Sequence, residues 1–375
     1  MDQNYNFHNF ISIKVDGEGS LSDFINFQYQ GFKQNNKTNK IDEIVVQINN
    51  VSNGEQILGK LGNTNFQRKG NKFIISNNGN KIELNGEKKI SEQNKLIVEP
   101  KSSKSLFNLY LELLLRTKLI KKRIILIHAS GVSKRDNGIL FPAWQGTGKT
   151  ASCLSFVKDG FDYLGEDKLW VSEDKKIYSY PRYVRLNKSN LHLFKDFLNT
   201  KEKIKYCTHN ILEKIAVKSK LDKKSRIINK LINSGYLLPN RPRQIEEFYP
   251  NVNVPKKVNL SLIVILQSNL NVSDPSIDSQ ILSADKTINN INYYEWNNEL
   301  LLHASAHDIL FPKNASWVKE LEELQKQELS ILTNITKEIK CLRLNLPKKQ
   351  MMIPDNLKTE ILSKLGEFNE HRQKY

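Results

Sequence analysis

The chain has 375 residues, of which 39% are hydrophobic, and a formal net charge of +17. This length predicts two domains or one domain with additions. The longest apolar runs are too short to cross a bilayer, and the N-terminus lacks a signal-peptide pattern. Three cysteines without C-x-x-C spacing argue against a disulfide framework and against zinc, so we expect a cytoplasmic protein without a membrane partner.

The positive charge has two interpretations. Such a balance is typical of proteins that bind RNA, DNA or anionic lipid. However, the sequence is rich in Lys, Asn and Ile throughout, and the charge is spread along the chain. We favour compositional bias together with an anionic substrate, which leaves nucleic acid as the less favoured partner.

Residues 1–100 show strand patterns and predict a β-rich N-terminal domain for recognition or assembly. Ile41–Asn49 alternates and is β-branched. Asn71–Leu84 has two apolar runs around an Asn/Gly turn, which indicates a hairpin.

Residues 101–375 mix helical and strand patterns, which predicts an α/β fold. KSLFNLYLELLLRTK, residues 104–118, has helical spacing. RIILIHASGV predicts a buried strand that ends at His128, followed by a turn at Lys134–Gly138 and a second strand at Gly138–Trp144. TASCLSFVKDGF predicts a helix with Gly160 near its end.

The remaining elements follow in the same domain. Strands with a turn at Glu173–Lys175 precede a Lys-rich helical insertion at about 196–245. Val258–Gln267 is a continuous apolar run that predicts a buried strand. Lys319 to about Lys340 predicts a helix, and Ile339–Leu346 predicts a late strand.

The stretch FPAWQGTGKTASC, Phe141–Cys153, has the pattern of a phosphate-binding loop. Its glycines allow backbone N–H groups to converge on phosphate oxygens, its lysine meets the β- and γ-phosphates, and its threonine hydroxyl contacts Mg²⁺. The following helix directs its positive N-terminus at the same place. The predicted nucleotide-binding residues of this segment are Gly146, Thr147, Gly148, Lys149, Thr150 and Ala151.

One position departs from the strict pattern G-x-x-x-x-G-K-[ST]. The leading glycine is replaced by Ala143, and alanine fits there only if its φ is negative. The strand, loop and helix context supports a working loop.

The span from about Leu106 to Leu186 resembles the catalytic domain of HPr kinase/phosphorylase and its relatives, which are distant cousins of ATP-dependent phosphoenolpyruvate carboxykinase. That family has a His after a strand, a hairpin, a phosphate loop, a helix ending near Gly and an acidic pair. Here these features are His128, the loop and helix, and Glu166-Asp167 in YLGEDKLWV. Ala143 and Glu166 depart from the family's Gly and Asp.

The resemblance implies an HPr-kinase-like P-loop domain, with a mixed β core and flanking helices, that uses ATP and Mg²⁺. By position, Lys149 holds the γ-phosphate, and Thr150 and Asp167 contact the metal. Glu166 is a candidate base, with the division of roles between the two acids left open. His128 orients a carboxylate or shares the proton transfer. For Glu166 and Asp167 the structural alternative is a solvated acidic turn, and for His128 it is a hydrogen-bonded core histidine.

Two pairs of arginines are further candidates. Arg182 and Arg185 follow the acidic pair and either clamp phosphate or form one solvated face of a strand. Arg241 and Arg243 lie in a Pro-punctuated loop that either closes over the phosphates or, as we favour, is a plain basic loop.

Three other features have weaker functional interpretations. His303 and His307 have the i, i+4 spacing of metal ligands, but the sequence shows no third ligand. Trp144 either stacks on a base or, as we favour, packs under the loop. The Lys-rich stretch Lys201–Lys230 either grips an anionic partner or is a solvated helical face.

The sequence therefore predicts an ATP-dependent kinase that phosphorylates a hydroxyl of a protein serine, a small metabolite or an RNA ribose. One alternative is a nucleotide-switched protein that binds RNA or another partner through its basic surface. A carboxykinase-type enzyme is less favoured because the chain is short for that family. The glycine-rich segment of the bifunctional branch is missing, so we expect no phosphorolysis. Relatives often assemble as rings, which makes a homo-oligomer compatible with the resemblance.

Overall fold

A computed structural model describes residues 2–34, 41–61, 64–185, 194, 197–218, 242–269, 273–279, 281, 283–294, 297–314, 316–347 and 353–372. Within these residues the fold is mixed α/β, which confirms the predicted class. It contains two nine-stranded sheets and a short two-stranded ladder.

The first sheet is formed by strands from the N-terminal part of the chain. In chain order these are β1 (Gln3–Phe7), β2 (Ile11–Asp16), β3 (Lys33–Gln34), β4 (Asp42–Ile48), β5 (Gln56–Leu61), β6 (Thr64–Lys69), β7 (Lys72–Asn77), β8 (Asn80–Asn85) and β9 (Lys95–Val98). Their spatial order is β3-β1-β2-β4-β9-β8-β7-β6-β5, and β4 runs parallel to both its neighbours.

The predicted strand and hairpin of this region are confirmed as β4 and the pair β7–β8. The hairpin turns through Asn78 and Gly79, whose φ values are 50° and 82°. Two residues with positive φ match the twist of the flanking strands, so the Asn-Gly dipeptide determines where this hairpin turns.

The second sheet is formed by the strands β10 (Ile124–Ile127), β11 (Ala129–Lys134), β12 (Asn137–Pro142), β13 (Asp162–Gly165), β14 (Leu169–Ser172), β15 (Lys176–Tyr178), β18 (Lys257–Asn269), β19 (Ser276–Asp278) and β20 (Lys340–Pro347). The order is β10-β14-β15-β18-β12-β11-β13, and β20 joins β18 to β19. The separate two-stranded ladder pairs β16 (Val184–Arg185) with β17 (Pro242–Arg243).

One strand prediction needs correction. The strand predicted to end at His128 ends one residue earlier, at Ile127, and the residues after His128 form a separate strand, β11, that pairs with β12. A bend at His128 divides what the sequence presents as one apolar run. The turn at Glu173–Lys175 and the strands β18 and β20 are confirmed.

The helices are α1 (Ser20–Gln28), α2 (Lys104–Leu119), α3 (Lys149–Lys158), α4 (Thr200–Lys218), α5 (Ala284–Tyr294), α6 (Asn297–Leu310), α7 (Trp317–Glu338) and α8 (Asp355–Arg372). Three of them, α2, α3 and α7, confirm predicted helices. Helix α4 begins the Lys-rich stretch, whose residues 219–241 lie outside the described part of the chain.

The second sheet is buried on both faces, which explains the continuous apolar run of β18. Leu262, Val264 and Leu266 belong to a core shared with α3 and α8. Ile263 and Ile265 face a second core, shared with α2, α5, α6, α7 and the first sheet. A strand covered on both faces has no solvent side and so loses its polar alternation.

Helix length and apolarity also bear on membrane insertion. Each helix in the described ranges falls short of what spanning a bilayer requires.

Candidate active site

The predicted phosphate loop connects β12 to α3. Gly146 and Gly148 have φ values of 80° and 95°, a conformation that side chains with a Cβ rarely adopt. The backbone N–H and the hydroxyl of Thr147 both donate to Trp144 O, at 3.3 and 2.7 Å. These bonds close a compact turn at the end of a central strand.

Ala143 meets the condition for replacing the leading glycine. It extends β12 through a parallel bridge to Leu266, it is fully buried, and it is not among the described residues with positive φ. Alanine therefore occupies this position without backbone strain.

The N-terminus of α3 opens into the loop. Gly148 is the N-cap, and no described side chain caps the helix. The first N–H groups of a helix have no intrahelical acceptor and carry partial positive charge. This helix end is thus suited to an anion.

Lys149 places its ammonium beneath the loop. The side chain is 8% exposed, and its Nζ donates to Ala143 O at 3.1 Å and to His128 Nε2. The lysine thus lies between the loop backbone and the histidine that follows β10.

Thr150 and Glu166 form the next contact. The Thr150 hydroxyl donates to Glu166 Oε1, while Glu166 Oε2 is buried without a described hydrogen-bond partner. Burial raises the pKa of the Glu166 carboxyl to about 7, and the Thr150 hydrogen bond opposes this rise. The site therefore holds a hydroxyl and a carboxylate, both oxygen ligands of the kind that Mg²⁺ prefers.

Asp167 faces a different set of neighbours. Its Oδ1 lies 3.4 Å from His128 Nδ1, its Oδ2 lies 3.6 Å from Arg182 Nη1, and its side chain is 48% exposed. Burial of the site raises the pKa of this carboxyl, but His128 and the surrounding cationic side chains outweigh it and hold the pKa below its ordinary value. Asp167 is thus a carboxylate at neutral pH.

His128 connects Lys149 to Asp167. Burial lowers the pKa of its imidazole to about 3, so the ring is neutral at physiological pH. Because Lys149 donates to Nε2, the ring proton is assigned to Nδ1, which faces Asp167. The backbone N–H of His128 donates to Asn292 Oδ1 at 2.8 Å, which fixes the bend from α5.

The histidine and the acidic pair come from one interrupted ladder. Ile127 pairs with Leu169 in the β10–β14 ladder, and Gly131 pairs with Gly165 in the β11–β13 ladder. Between these pairs one strand moves four residues forward and its antiparallel partner four residues back, so the register is kept across the break as far as Gly131, where a bulge then shifts β11 by one residue against β13. The break brings His128 close to the 166–168 turn.

Gly165 allows the chain to enter that turn. Its φ is 154°, and a Cβ there would lie 2.9 Å from Tyr180 O. Asp167 has a φ of 72° in the same turn. The tight backbone turns the two carboxylates in different directions, one toward Thr150 and the other toward His128.

Arg182 belongs to this cluster and is buried, not part of a solvated face. Its Nη1 donates to Glu112 Oε1 at 3.1 Å, and Lys168 Nζ contacts Glu112 Oε2. Sequence reasoning missed Glu112, Lys168 and Asn292. The available signal for Glu112 was a single acidic residue in the apolar run LYLELLLR, since buried charges require partners.

The other three candidate arginines, Arg185, Arg241 and Arg243, have no described contact with this cluster. The backbone of Arg185 lies in β16, and its side chain is outside the described atoms, as is the whole of Arg241. Arg243 is buried, donates to Phe197 O at 3.2 Å and forms an ion pair with Glu202. It is therefore neither a solvated basic residue nor an open clamp in this structure.

His303 and His307 lie on α6 with partners of their own. His303 Nδ1 is 2.8 Å from the Tyr110 hydroxyl, and His307 Nε2 is 2.8 Å from Gly86 O. Both rings are therefore hydrogen-bonded to other parts of the protein. Trp144 is half-buried and packs against the core, in keeping with the packing interpretation.

No described group of three or more His, Cys, Asp or Glu side chains is arranged to hold a metal ion. A site of the Mg²⁺-nucleotide type does not require such a group, because phosphate oxygens and water supply most of the ligands. Comparison of the sequence with protein-family models and with curated proteins finds no match.

Proposed function

We propose that this chain is an ATP-dependent phosphotransferase of the HPr-kinase-like type, which transfers a γ-phosphate to a hydroxyl acceptor. The observation that carries the proposal is the convergence of Lys149, Thr150, Glu166 and Asp167 at the end of β12 and the start of α3. Phosphoryl transfer requires positioning and charge neutralisation, and this cluster offers groups for both.

The loop and α3 would hold the polyphosphate. The N–H groups of the helix end face the loop, and Lys149 would exchange its contacts with Ala143 O and His128 for phosphate oxygens. A lysine already buried at the loop needs little reorganisation to meet an incoming charge.

Thr150 and Glu166 would hold Mg²⁺. Their side chains already contact each other, and a phosphate-loop hydroxyl paired with an acid from a neighbouring strand is the arrangement that P-loop enzymes use for this metal. The bound metal neutralises charge on the phosphates. This assignment gives Glu166 the metal role that the sequence offered first to Asp167.

Asp167 would accept the proton of the acceptor hydroxyl. It is ionised, half exposed and held by His128, so it can meet an acceptor that arrives from solvent. His128 would act as a positioning group, because its neutral ring keeps the Nδ1 proton toward Asp167. A protein serine, a metabolite hydroxyl and a ribose hydroxyl all present this chemistry.

The test is transfer of labelled γ-phosphate. Purified protein, Mg²⁺ and [γ-³²P]ATP are incubated with serine peptides, small polyols and RNA, and labelled products are separated. We expect one acceptor class to be labelled by the wild type and none by Lys149→Ala. Lys158→Ala is the matched control, because it removes an exposed lysine from the same helix and should transfer normally.

Two outcomes would contradict the proposal. The first is absence of ATP binding by the wild type in equilibrium dialysis. The second is ATP binding without transfer to any class, together with RNA affinity that falls steeply with salt, which would favour the nucleotide-switched binding protein instead.

A further inference from the structure

A buried carboxylate lies behind the acidic pair. Glu112 is in the middle of α2 and is 4% exposed, between the buried Leu111 and Leu113. Burying a carboxylate is costly unless opposite charges and hydrogen bonds compensate for it. Its conformation and partners therefore require an explanation beyond packing.

The two oxygens of Glu112 each bind one cation. Oε1 accepts from Arg182 Nη1 at 3.1 Å, and Oε2 contacts Lys168 Nζ. Lys168 directly follows Asp167 in the chain, and Arg182 Nη1 lies 3.6 Å from Asp167 Oδ2. Glu112 thus joins two of the cationic side chains near Asp167.

Removing this carboxylate would change the surroundings of Asp167. Lys168 and Arg182 would lose their shared counter-charge, and Asp167 would become the nearest described carboxylate to Arg182. A guanidinium pairs with a carboxylate through two parallel hydrogen bonds where geometry allows. Such a pair would cover the oxygens of Asp167.

We infer that Glu112 is a positioning residue that holds Arg182 and Lys168 in place and so keeps Asp167 accessible to the acceptor. Its effect on catalysis rests on the proposed function. Its effect on the position of Arg182 does not, and the two are measured separately.

The kinetic measurement compares kcat with the affinity for ATP. Glu112→Gln should lower kcat by about 10- to 100-fold, by analogy with the outer-shell partners that orient metal ligands. The dissociation constant of ATP should stay nearly unchanged, because the described hydrogen bonds of Lys149 and Thr150 go to Ala143, His128 and Glu166. Glu112→Asp keeps the charge and should recover part of kcat.

Glu328→Gln is the matched control. Glu328 is 3% exposed and accepts from Arg116 Nε, on the same helix α2, at 2.7 Å. Its removal also leaves a buried arginine without its carboxylate. We expect a comparable loss of stability with a much smaller loss of kcat per folded molecule, because Arg116 acts on Glu112 only through its charge, one turn along α2. This difference separates positioning from a structural role.

A double variant tests whether Glu112 affects kcat through Arg182. If Glu112 acts through Arg182, adding Glu112→Gln to Arg182→Gln should leave kcat at the value of the single Arg182 variant. Losses of kcat that stay additive when Lys168→Gln is also present, so that both cations bound by Glu112 are gone, would overturn the inference. The double variant also has no buried unpaired guanidinium at this position, so it serves where Glu112→Gln alone does not fold.

A crystal structure of Glu112→Gln, or of Glu112→Asp if the first is insoluble, decides the geometric part without any activity. We expect the Arg182 guanidinium to turn onto Asp167 in the Gln variant and to stay on residue 112 in the Asp variant. Unchanged Arg182 and Lys168 positions in the Gln variant would overturn the inference, even if the wild type proved to be a phosphotransferase.

Discussion

Two neighbouring carboxylates of the site ionise differently. Burial raises the pKa of Glu166 to about 7, whereas the groups around Asp167 hold its pKa below the ordinary value against the effect of burial. Adjacent acids with separated pKa values are typical of sites in which each has its own task. At neutral pH, Asp167 is charged and Glu166 is poised to bind or release a proton.

We predict that Glu166 makes metal-free protein less stable as pH rises. Its folded pKa of about 7 exceeds the ordinary value of 4.5, so the folded state binds more protons within this window and loses stability through it. Relative to Glu166→Gln, the wild type should lose about 2 kcal/mol between about pH 5 and pH 8, after allowance for partial solvation.

Urea denaturation in EDTA at both pH values measures this difference. The matched control is Glu87→Gln, which changes an exposed glutamate and should show no such dependence. A constant difference between wild type and Glu166→Gln across the window would show that the carboxyl titrates normally.

At the scale of elements, the phosphate loop depends on where β12 ends. Ala143 continues the strand by its bridge to Leu266, and the left-handed residues start later, at Gly146 and Gly148. The leading position of the motif therefore belongs to the strand, where alanine is the more rigid residue.

We predict that Ala143→Gly costs about 1 kcal/mol of stability, from lost methyl burial and a more flexible unfolded chain. Affinity for ATP should not improve, since no strain is relieved. Denaturant titration and nucleotide binding measure the two effects. A marked gain in ATP affinity would mean that alanine distorts the loop.

Local patterns in the sequence predicted some elements well. The Asn-Gly turn specified the β7–β8 hairpin, the continuous apolar run predicted β18, and GTGKT predicted the loop and α3. The prediction missed α1, α5, α6 and α8. In α6 the apolar residues do not form one helical stripe, because Leu300 and Leu310 are buried whereas Leu301 and Ile309 are exposed.

The candidate site, too, could be predicted only where its residues lie close together in the sequence. His128, Glu166 and Asp167 could be found because they lie near the loop in sequence, and the resemblance orders them. Asn292 and Glu112 come from helices far along the chain in either direction. Their roles depend on long-range packing, which a single sequence does not encode in any local pattern.

At the scale of the whole molecule, the two large sheets share one hydrophobic core. Phe7 of the first sheet lies 5.7 Å from Trp170 and 5.9 Å from Tyr180, measured between ring centroids. These residues belong to one continuous cluster of buried side chains that includes α2 and α7. A separate N-terminal domain remains a prediction. The contacts of Phe7 are relevant to it because they join the first sheet to the second.

We predict that the protein unfolds in a single calorimetric transition, because separating the sheets would expose this cluster to water. Trp170→Ala should lower the temperature of that whole transition, with a loss of about 3 to 5 kcal/mol. Two resolved transitions, with only one shifted by Trp170→Ala, would instead indicate independently folding halves.

The interrupted ladder has a consequence for how the chain tolerates changes in length. Adding or deleting one residue at 128–130 or 166–168 would send the following side chains of that strand to the opposite face of the sheet. The turn at Arg135 and Asp136, between β11 and β12, lies outside this alignment. Added residues there would lengthen a loop at little cost, so variants that differ in length should differ at this turn and keep the spacing around His128 and Glu166.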